Sequence, residues 1–301
     1  GGVDVTGEGV FSSQATPANC TGFRLGVKGL TGGHSGMDIH LGRGNANKLM
    51  NRILWNGAKQ FGLHVRAMDG GGLRNAIPGE CFAVVAVQSA HVAGFQAFIQ
   101  KETTTLKAEY HTTDPDLEVV CEAAPLPETV FSADFQQKIL SVIYACANGI
   151  HRMSPDVADL VQTSNNLSRV LVKDGKFSIQ CLTRGSVDSE KMDLANALKA
   201  TMELAGASVS FGSEYPGWAP NPTSRLGQLM SSIYEEMYQA KPHVYACHAG
   251  LECGIIGQHY PGMEMISFGP NIRGAHSPDE KVQISSVQKY WGYLLRTLKE
   301  I

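Results

Sequence analysis

Between Thr21 and Ala123 the hydrophobic repeat of the chain passes from a period of two to the helical three-and-four and back, twice over, and this alternation limits the available folds more than any other feature. From Thr21 to Lys28, Phe23, Leu25 and Val27 alternate with Arg24, Gly26 and Lys28, the pattern of a half-buried strand. After a glycine-rich loop, Leu49, Ile53, Leu54, Ala58 and Phe61 recur at three and four behind Asn45, whose short amide suits an N-cap, so an amphipathic helix is predicted over 45–61. Strands are predicted over 63–68 and 81–88, a helix over 91–109 and a strand over 117–123. The order β-α-β-β-α-β is that of a ferredoxin-like sheet with helices on one face, and its edges are open to pairing with another copy.

A second passage repeats the ingredients. A helix is predicted over 132–147, strands over 169–173 and 177–182 around the Asp174-Gly175 turn, a helix over 188–204 and a strand over 207–211. Gly212 to Pro222 then gathers prolines and glycines and reads as a crossover between domains. Beyond it, a helix over 223–239, short strands near 243–247 and 263–268, and a closing helix over 284–299 look like the tail of a βαβ sheet. At the other end, Gly1-Gly2-Val3-Asp4 has no initiator methionine and reads like the middle of a loop, so the chain is expected to be incomplete.

The 301 residues carry 25 basic and 28 acidic side chains for a formal charge of -3, spread along the chain, which supports neither a nucleic-acid footprint nor a polybasic membrane patch. No apolar run approaches the roughly 20 residues of a membrane span, and no signal peptide opens the chain. The seven cysteines are odd in number, scattered and free of a CxxC pair, which argues against a disulfide framework and for buried, reduced thiols in a cytoplasmic protein.

Several residues stand out as chemistry. His34, in Gly32-Gly33-His34-Ser35-Gly36, sits in a loop whose glycines let a ligand approach the backbone, although a lone loop histidine is more often exposed and idle. His40 lies six residues on, with nothing to place the two on one face. Asn75, between two strands, offers an amide to an oxyanion or a carboxylate, or simply forms a turn before Pro78. Arg184, at the end of a strand, has the planar fork that clamps a carboxylate, with Asp188 or Glu190 as competing partners. His243, His248 and Cys253 lack the spacing of a standard zinc finger. His276 follows a predicted strand, at the edge where α/β sheets place ligands, with acids close by to orient an imidazole that binds metal.

Together, GGHSGMDIHLGRGNANK (32–48), RNAIPGE (74–80), CLTRGSVDSEK (181–191), HAGLECG (248–254) and GPNIRGAHSPDE (269–280) resemble, in that order, the zinc-dependent exopeptidase superfamily of carnosinases, acetylornithine deacetylase and carboxypeptidase G. The resemblance is strongest to its aminoacyl-histidine dipeptidase branch. It implies an α/β protein in which a ferredoxin-like lid or dimerisation domain, 3–213, is inserted into a catalytic α/β domain whose C-terminal segment is 214–301, the N-terminal catalytic half being absent. It implies dipeptide hydrolysis, Xaa-His included, with two zinc ions or other divalent metals per complete site, and a homodimer formed through the lid. By the same resemblance His34 polarises the scissile carbonyl or stabilises the tetrahedral oxyanion, reaching into a partner subunit's site, Asn75 and Arg184 hold the substrate's backbone and C-terminal carboxylate, the Ala249-Gly250 turn lies against the dipeptide, and His276 is the one metal ligand present. The chain alone is then expected to be inactive. A non-catalytic dimerisation or regulatory module, and a related carboxypeptidase or deacylase, are the alternatives.

Overall fold

The computed structural model describes residues 1–246, 252–273 and 280–301, which divide into a unit ending at Gly217 and a second one from Trp218. The first unit runs β1 (Gly2–Val10), β2 (Ser13–Ala15), β3 (Cys20–Lys28), β4 (Gly33–His34), α1 (Ala46–Phe61), β5 (His64–Gly71), β6 (Ala76–Ile77), β7 (Cys81–Gln88), α2 (Val92–Glu109) and β8 (Glu118–Ala123). It continues through β9 (Thr129–Phe131), α3 (Ala133–Ala145), β10 (Gly149–Met153), β11 (Val161–Lys173), β12 (Lys176–Gly185), α4 (Asp188–Glu203) and β13 (Ser208–Tyr215).

The alternation read in β3 sends Phe23, Leu25 and Val27 into the core and leaves Arg24 on the outer face, its guanidinium 4.8 Å from the ring centre of Phe82. The Asn45 side chain caps α1 by accepting from the Asn47 and Lys48 amides, and Gly62 ends the helix at a positive φ of 62°. Leu49, Met50, Ile53 and Leu54 are its buried stripe. Lys48 ties the next helix down: its ammonium donates to the carbonyls of Ile143, Tyr144 and Cys146, the C-terminal end of α3, where a cation also meets the helix dipole.

The long sheet has the order β13-β1-β12-β11-β5-β7-β3-β8, with β10 also on β11. Within it, β3, α1, β5, β7, α2 and β8 form the predicted ferredoxin-like unit. The remaining elements β1, α3, β11, β12, α4 and β13 form a second unit of the same topology: each quartet of strands lies in the order fourth, first, third, second. The β3–β8 unit is thus the inner one, inserted into the outer one between β1 and α3. The two join edge to edge through antiparallel pairing of β11 with β5, from Arg169 opposite Gly71 to Val172 opposite Met68. Hence one of the two edges expected to be open to another copy is filled from within the chain, and β8 and β13 are the ends of the sheet.

Other expectations need correcting. Gly1 to Asp4 is no loop: β1 lies inside the sheet between β12 and β13, with Val3 and Val5 fully buried. Its glycines mark close approach, since a Cβ on Gly2, Gly7 or Gly9 would come within 2.7 Å of Tyr215, Met202 or Phe177 respectively. Strand β11 starts at Val161 rather than 169. Its polar run looked unlike a strand, yet the side chains are buried and bonded: Asn165 donates to the Ala147 carbonyl, Thr183 to Asn165, and Ser168 to the Gln180 carbonyl. The crossover read from Gly212 begins later, since β13 runs to Tyr215.

The second unit contains α5 (Arg225–Tyr238), α6 (Glu252–His259), the short pair β14 (Ile272–Arg273) and β15 (Lys281–Val282), and α7 (Ile284–Glu300). Neither 243–246 nor 263–268 forms a strand, because none of the described residues supplies a ladder partner to them. Helices α5 and α7 meet through Tyr234, Tyr238 and Tyr293, with the Tyr293 hydroxyl donating to the Met230 carbonyl at 2.7 Å. Elsewhere on α7, Ile284, Val287, Trp291, Leu295 and Leu298 recur at helical spacing and stay exposed, Trp291 by 57%. No helix among the described residues is long and apolar enough to cross a membrane.

Candidate functional site

The loop between β3 and α1 is held at both ends by one buried carboxylate. Asp114, 1% exposed at the corner between α2 and β8, accepts from the Thr31 amide at 2.9 Å through one oxygen and from the Gly44 amide at 2.8 Å through the other. Within the loop, Asp38 accepts from the His34 amide at 2.8 Å, and Arg43 donates to the Gly32 carbonyl at 2.7 Å while facing the Asp38 carboxylate. Strands β4 and β6 pair Gly33 with Ile77 and His34 with Ala76, so the loop is clasped to the segment that carries Asn75. Asp114→Ala strips acceptors from two amides at the loop base and is expected to lower stability by about 2–4 kcal/mol, read from urea unfolding.

That scaffold sets the chemistry of His34. The backbone N–H groups of Gly36 and Met37 donate to its Nδ1 at 3.1 and 3.0 Å. A ring nitrogen that accepts cannot carry the proton, so the neutral imidazole holds it on Nε2, which is thereby a donor. His40, on the short turn Ile39–Leu41, is exposed and does not join it.

Arg184 closes on the same loop from the end of β12. It is 4% exposed, its Nε donates to the Ser35 hydroxyl at 3.2 Å, and its Nη1 donates to the Tyr215 hydroxyl at 2.7 Å. Ser35 in turn donates its amide to the Asn75 carbonyl at 2.8 Å. Gly36 lets the two functional groups approach: a Cβ there would lie 3.1 Å from His34 Cε1 and 3.3 Å from Arg184 Nε. The Asn75 side chain is exposed, on a loop fixed from below by Asn166, which donates to the carbonyls of Arg74 and Ala76 at 3.0 and 2.8 Å. Arg74 anchors the loop again, through Asp4 and Thr6.

The carboxylates expected to compete for Arg184 are engaged elsewhere. Asp188 accepts from Lys191 and from the Gly217 amide, and Glu190 from Arg152, Gln162 and Thr163. Among the described residues no carboxylate lies within ion-pair distance of Arg184. A buried guanidinium held only by neutral hydroxyls retains its demand for an anion.

His34, Asn75 and Arg184, found separately in the sequence, therefore surround one place, and it draws on both ferredoxin-like units of a single chain. Reading the sequence missed Ser35, Tyr215 and Asp114. Ser35 adjoins a residue already singled out, Tyr215 lay in the segment read as a crossover, and nothing local marks Asp114. Ala249, Gly250, His248 and His276 lie outside the described residues. Among the described residues no three His, Cys, Asp or Glu side chains gather to hold a metal ion. Nor are the thiols among the described residues poised nucleophiles: burial pushes Cys121 and Cys181 up to about 11.

Residues 25–114 match the peptidase dimerisation domain family, M20_dimer. The whole chain is 38% identical to the cytosol non-specific dipeptidase of Escherichia coli K12, over 301 residues that make up 62% of that relative. It also superposes with a TM-score of 0.93 and 39% identity on the crystal structure of the aminoacylhistidine dipeptidase of Vibrio alginolyticus, covering all of this chain and 61% of that one. The chain thus spans about three fifths of the length of the relatives it matches.

Proposed function

We propose that the protein to which this chain belongs is an aminoacyl-histidine dipeptidase, like the two relatives it resembles, and hydrolyses unblocked dipeptides, Xaa-His among them. The observation that carries this reading is the buried Arg184 guanidinium, without a carboxylate partner among the described residues, beside the donor nitrogen of His34. Arg184 clamps the substrate's terminal carboxylate, since its planar fork matches two oxygens at once. His34 Nε2–H meets the scissile carbonyl and strengthens its bond as negative charge grows on that oxygen. Asn75 adds an amide to the substrate backbone. The division of labour is a lid, read from the sequence as 3–213 and matched to the compact unit that ends at Gly217, and a catalytic segment after it, read as 214–301.

The sequence resemblance supports zinc or another divalent metal, His276 as a ligand, the Ala249-Gly250 turn against the substrate, and a cytoplasmic setting. When bound, such a metal supplies a water of lowered pKa as nucleophile. The exposed apolar face of α7 supports a larger catalytic domain, since five such side chains along one helix are ordinarily covered. A homodimer through the lid is left to the outer strands β8 and β13, because β5 is already paired.

The test is to purify full-length protein with zinc and assay carnosine-like dipeptides and N-acyl amino acids, before and after chelation. Hydrolysis of the dipeptides, lost on chelation and restored by zinc, is the expected result. A full-length protein that cleaves no dipeptide overturns the proposal, and preference for N-acyl amino acids points to a deacylase.

A further inference from the structure

We propose that Tyr215 is a positioning residue for substrate-carboxylate recognition: its hydroxyl fixes the plane of the Arg184 guanidinium so that the free edge of the fork faces the incoming carboxylate. The inference rests on the dipeptidase reading and adds to it a residue outside the motifs that carry the resemblance.

The register of three neighbouring strands creates the contact. Arg184 on β12 lies opposite Gly2 on β1, and Gly2 lies opposite Tyr215 on β13. In the middle position there is no side chain, and the tyrosine ring leans across that vacancy to reach the arginine two strands away. A Cβ on Gly2 would stand 2.5 Å from the Tyr215 hydroxyl oxygen, too close for any ordinary contact. The bond made across it, Nη1 to hydroxyl at 2.7 Å, is matched on the other side of the guanidinium by Nε to Ser35. Bonds at both Nε and Nη1 fix the rotation of a group that is otherwise free to turn about its last torsions. Among the described residues Nη2 has no hydrogen-bond partner and keeps its N–H groups for the ligand.

The tyrosine is itself held. Lys191, fully buried, donates to the Tyr215 carbonyl at 3.0 Å and to Asp188 at 2.9 Å, and Asp188 accepts from the Gly217 amide at 2.9 Å. The strand end on which Tyr215 sits is thereby pinned on both sides to the start of α4. A neutral hydroxyl is chemically suited to the task, because it orients the cation without neutralising it, whereas a carboxylate there would compete with the substrate.

The test compares full-length wild type, Tyr215→Phe and Gly2→Ala on a dipeptide and on the same dipeptide with a C-terminal amide. Phenylalanine keeps the ring and removes only the hydroxyl; alanine keeps the hydroxyl and pushes it off its line. Both variants are expected to raise KM for the free dipeptide about tenfold, the loss of one hydrogen bond to a charged group. The kcat stays within about twofold and KM for the amide is unchanged, as is usual when only ground-state and transition-state binding are weakened together. Thermal unfolding of Tyr215→Phe tracks wild type. Hydrolysis with an unchanged KM in Tyr215→Phe, or an equal rise in KM for the amide, overturns the inference and leaves the dipeptidase reading intact. A wild type that hydrolyses neither compound overturns both.

Discussion

Full-length protein carrying His34→Ala is expected to lose about 10²–10³ in kcat toward dipeptides, with KM altered far less, as on removing a donor aimed at a developing oxyanion. The size of the effect follows from preorganisation. Two backbone amides hold Nδ1 as an acceptor, so the ring presents Nε2–H without having to reorient or change tautomer. The loop that carries it is tied at its base by Asp114, clasped by β6 and braced by Asp38, none of which depends on the imidazole side chain. Alanine therefore removes the donor and leaves the loop in place. Steady-state kinetics alongside thermal unfolding separate the two: a fall in kcat with an unchanged melting temperature is the expected pair. A rise in KM and a fall in kcat/KM with kcat preserved would assign His34 to binding instead.

The second large effect is expected from Arg184→Met, which keeps the aliphatic bulk and removes the fork. Loss of a bidentate, charge-assisted contact with the substrate lowers kcat/KM for free dipeptides by about 10²–10⁴, from two bonds of about 1.5–3 kcal/mol each. Arg184→Lys rescues little of it, since an ammonium cannot meet Ser35, Tyr215 and a carboxylate in one plane. The fold is expected to tolerate methionine, because no partner charge among the described residues is left behind, unlike the breaking of a buried ion pair. Equal losses toward a dipeptide and its C-terminal amide would place the role of Arg184 in the architecture of the loop and not in the carboxylate contact.

Much of the inner unit was legible because its signals are local. Asn45 caps its helix, Gly62 ends it, and Phe23, Leu25 and Val27 alternate as a strand requires. The outer unit was harder to read for identifiable reasons. Its first strand is rich in glycine because Tyr215, Met202 and Phe177 lie over its backbone, and a glycine set aside for a neighbour looks in sequence like one set aside for a turn. Its second strand buries Asn165, Asn166 and Ser168, whose partners come from distant segments, so the apolar pattern that marks a strand begins only at 169. The pairing of β5 with β11 depends on which edges meet, and no local pattern encodes that.

The site divides along the same line. His34, Asn75 and Arg184 were each visible as a residue type in a suggestive setting, but that they converge was not. The hydrogen bond from Arg184 to Ser35 spans 149 positions, and the long separation is closed only when the inner unit folds against the outer one. The tautomer of His34, which decides whether it donates or accepts toward a substrate, follows from two loop amides whose direction is a product of the folded loop.

On the function proposed above, the place that His34, Asn75 and Arg184 surround reads a free terminal carboxylate through Arg184 while His34 addresses the neighbouring carbonyl. The most direct measurement is the ratio of kcat/KM for a dipeptide to that for its C-terminal amide, in full-length wild-type protein under one set of conditions. A ratio of about 10² or more in favour of the free acid is expected, the discrimination that a buried, fork-shaped donor gives between a charged and a neutral partner. A ratio near one would contradict the account.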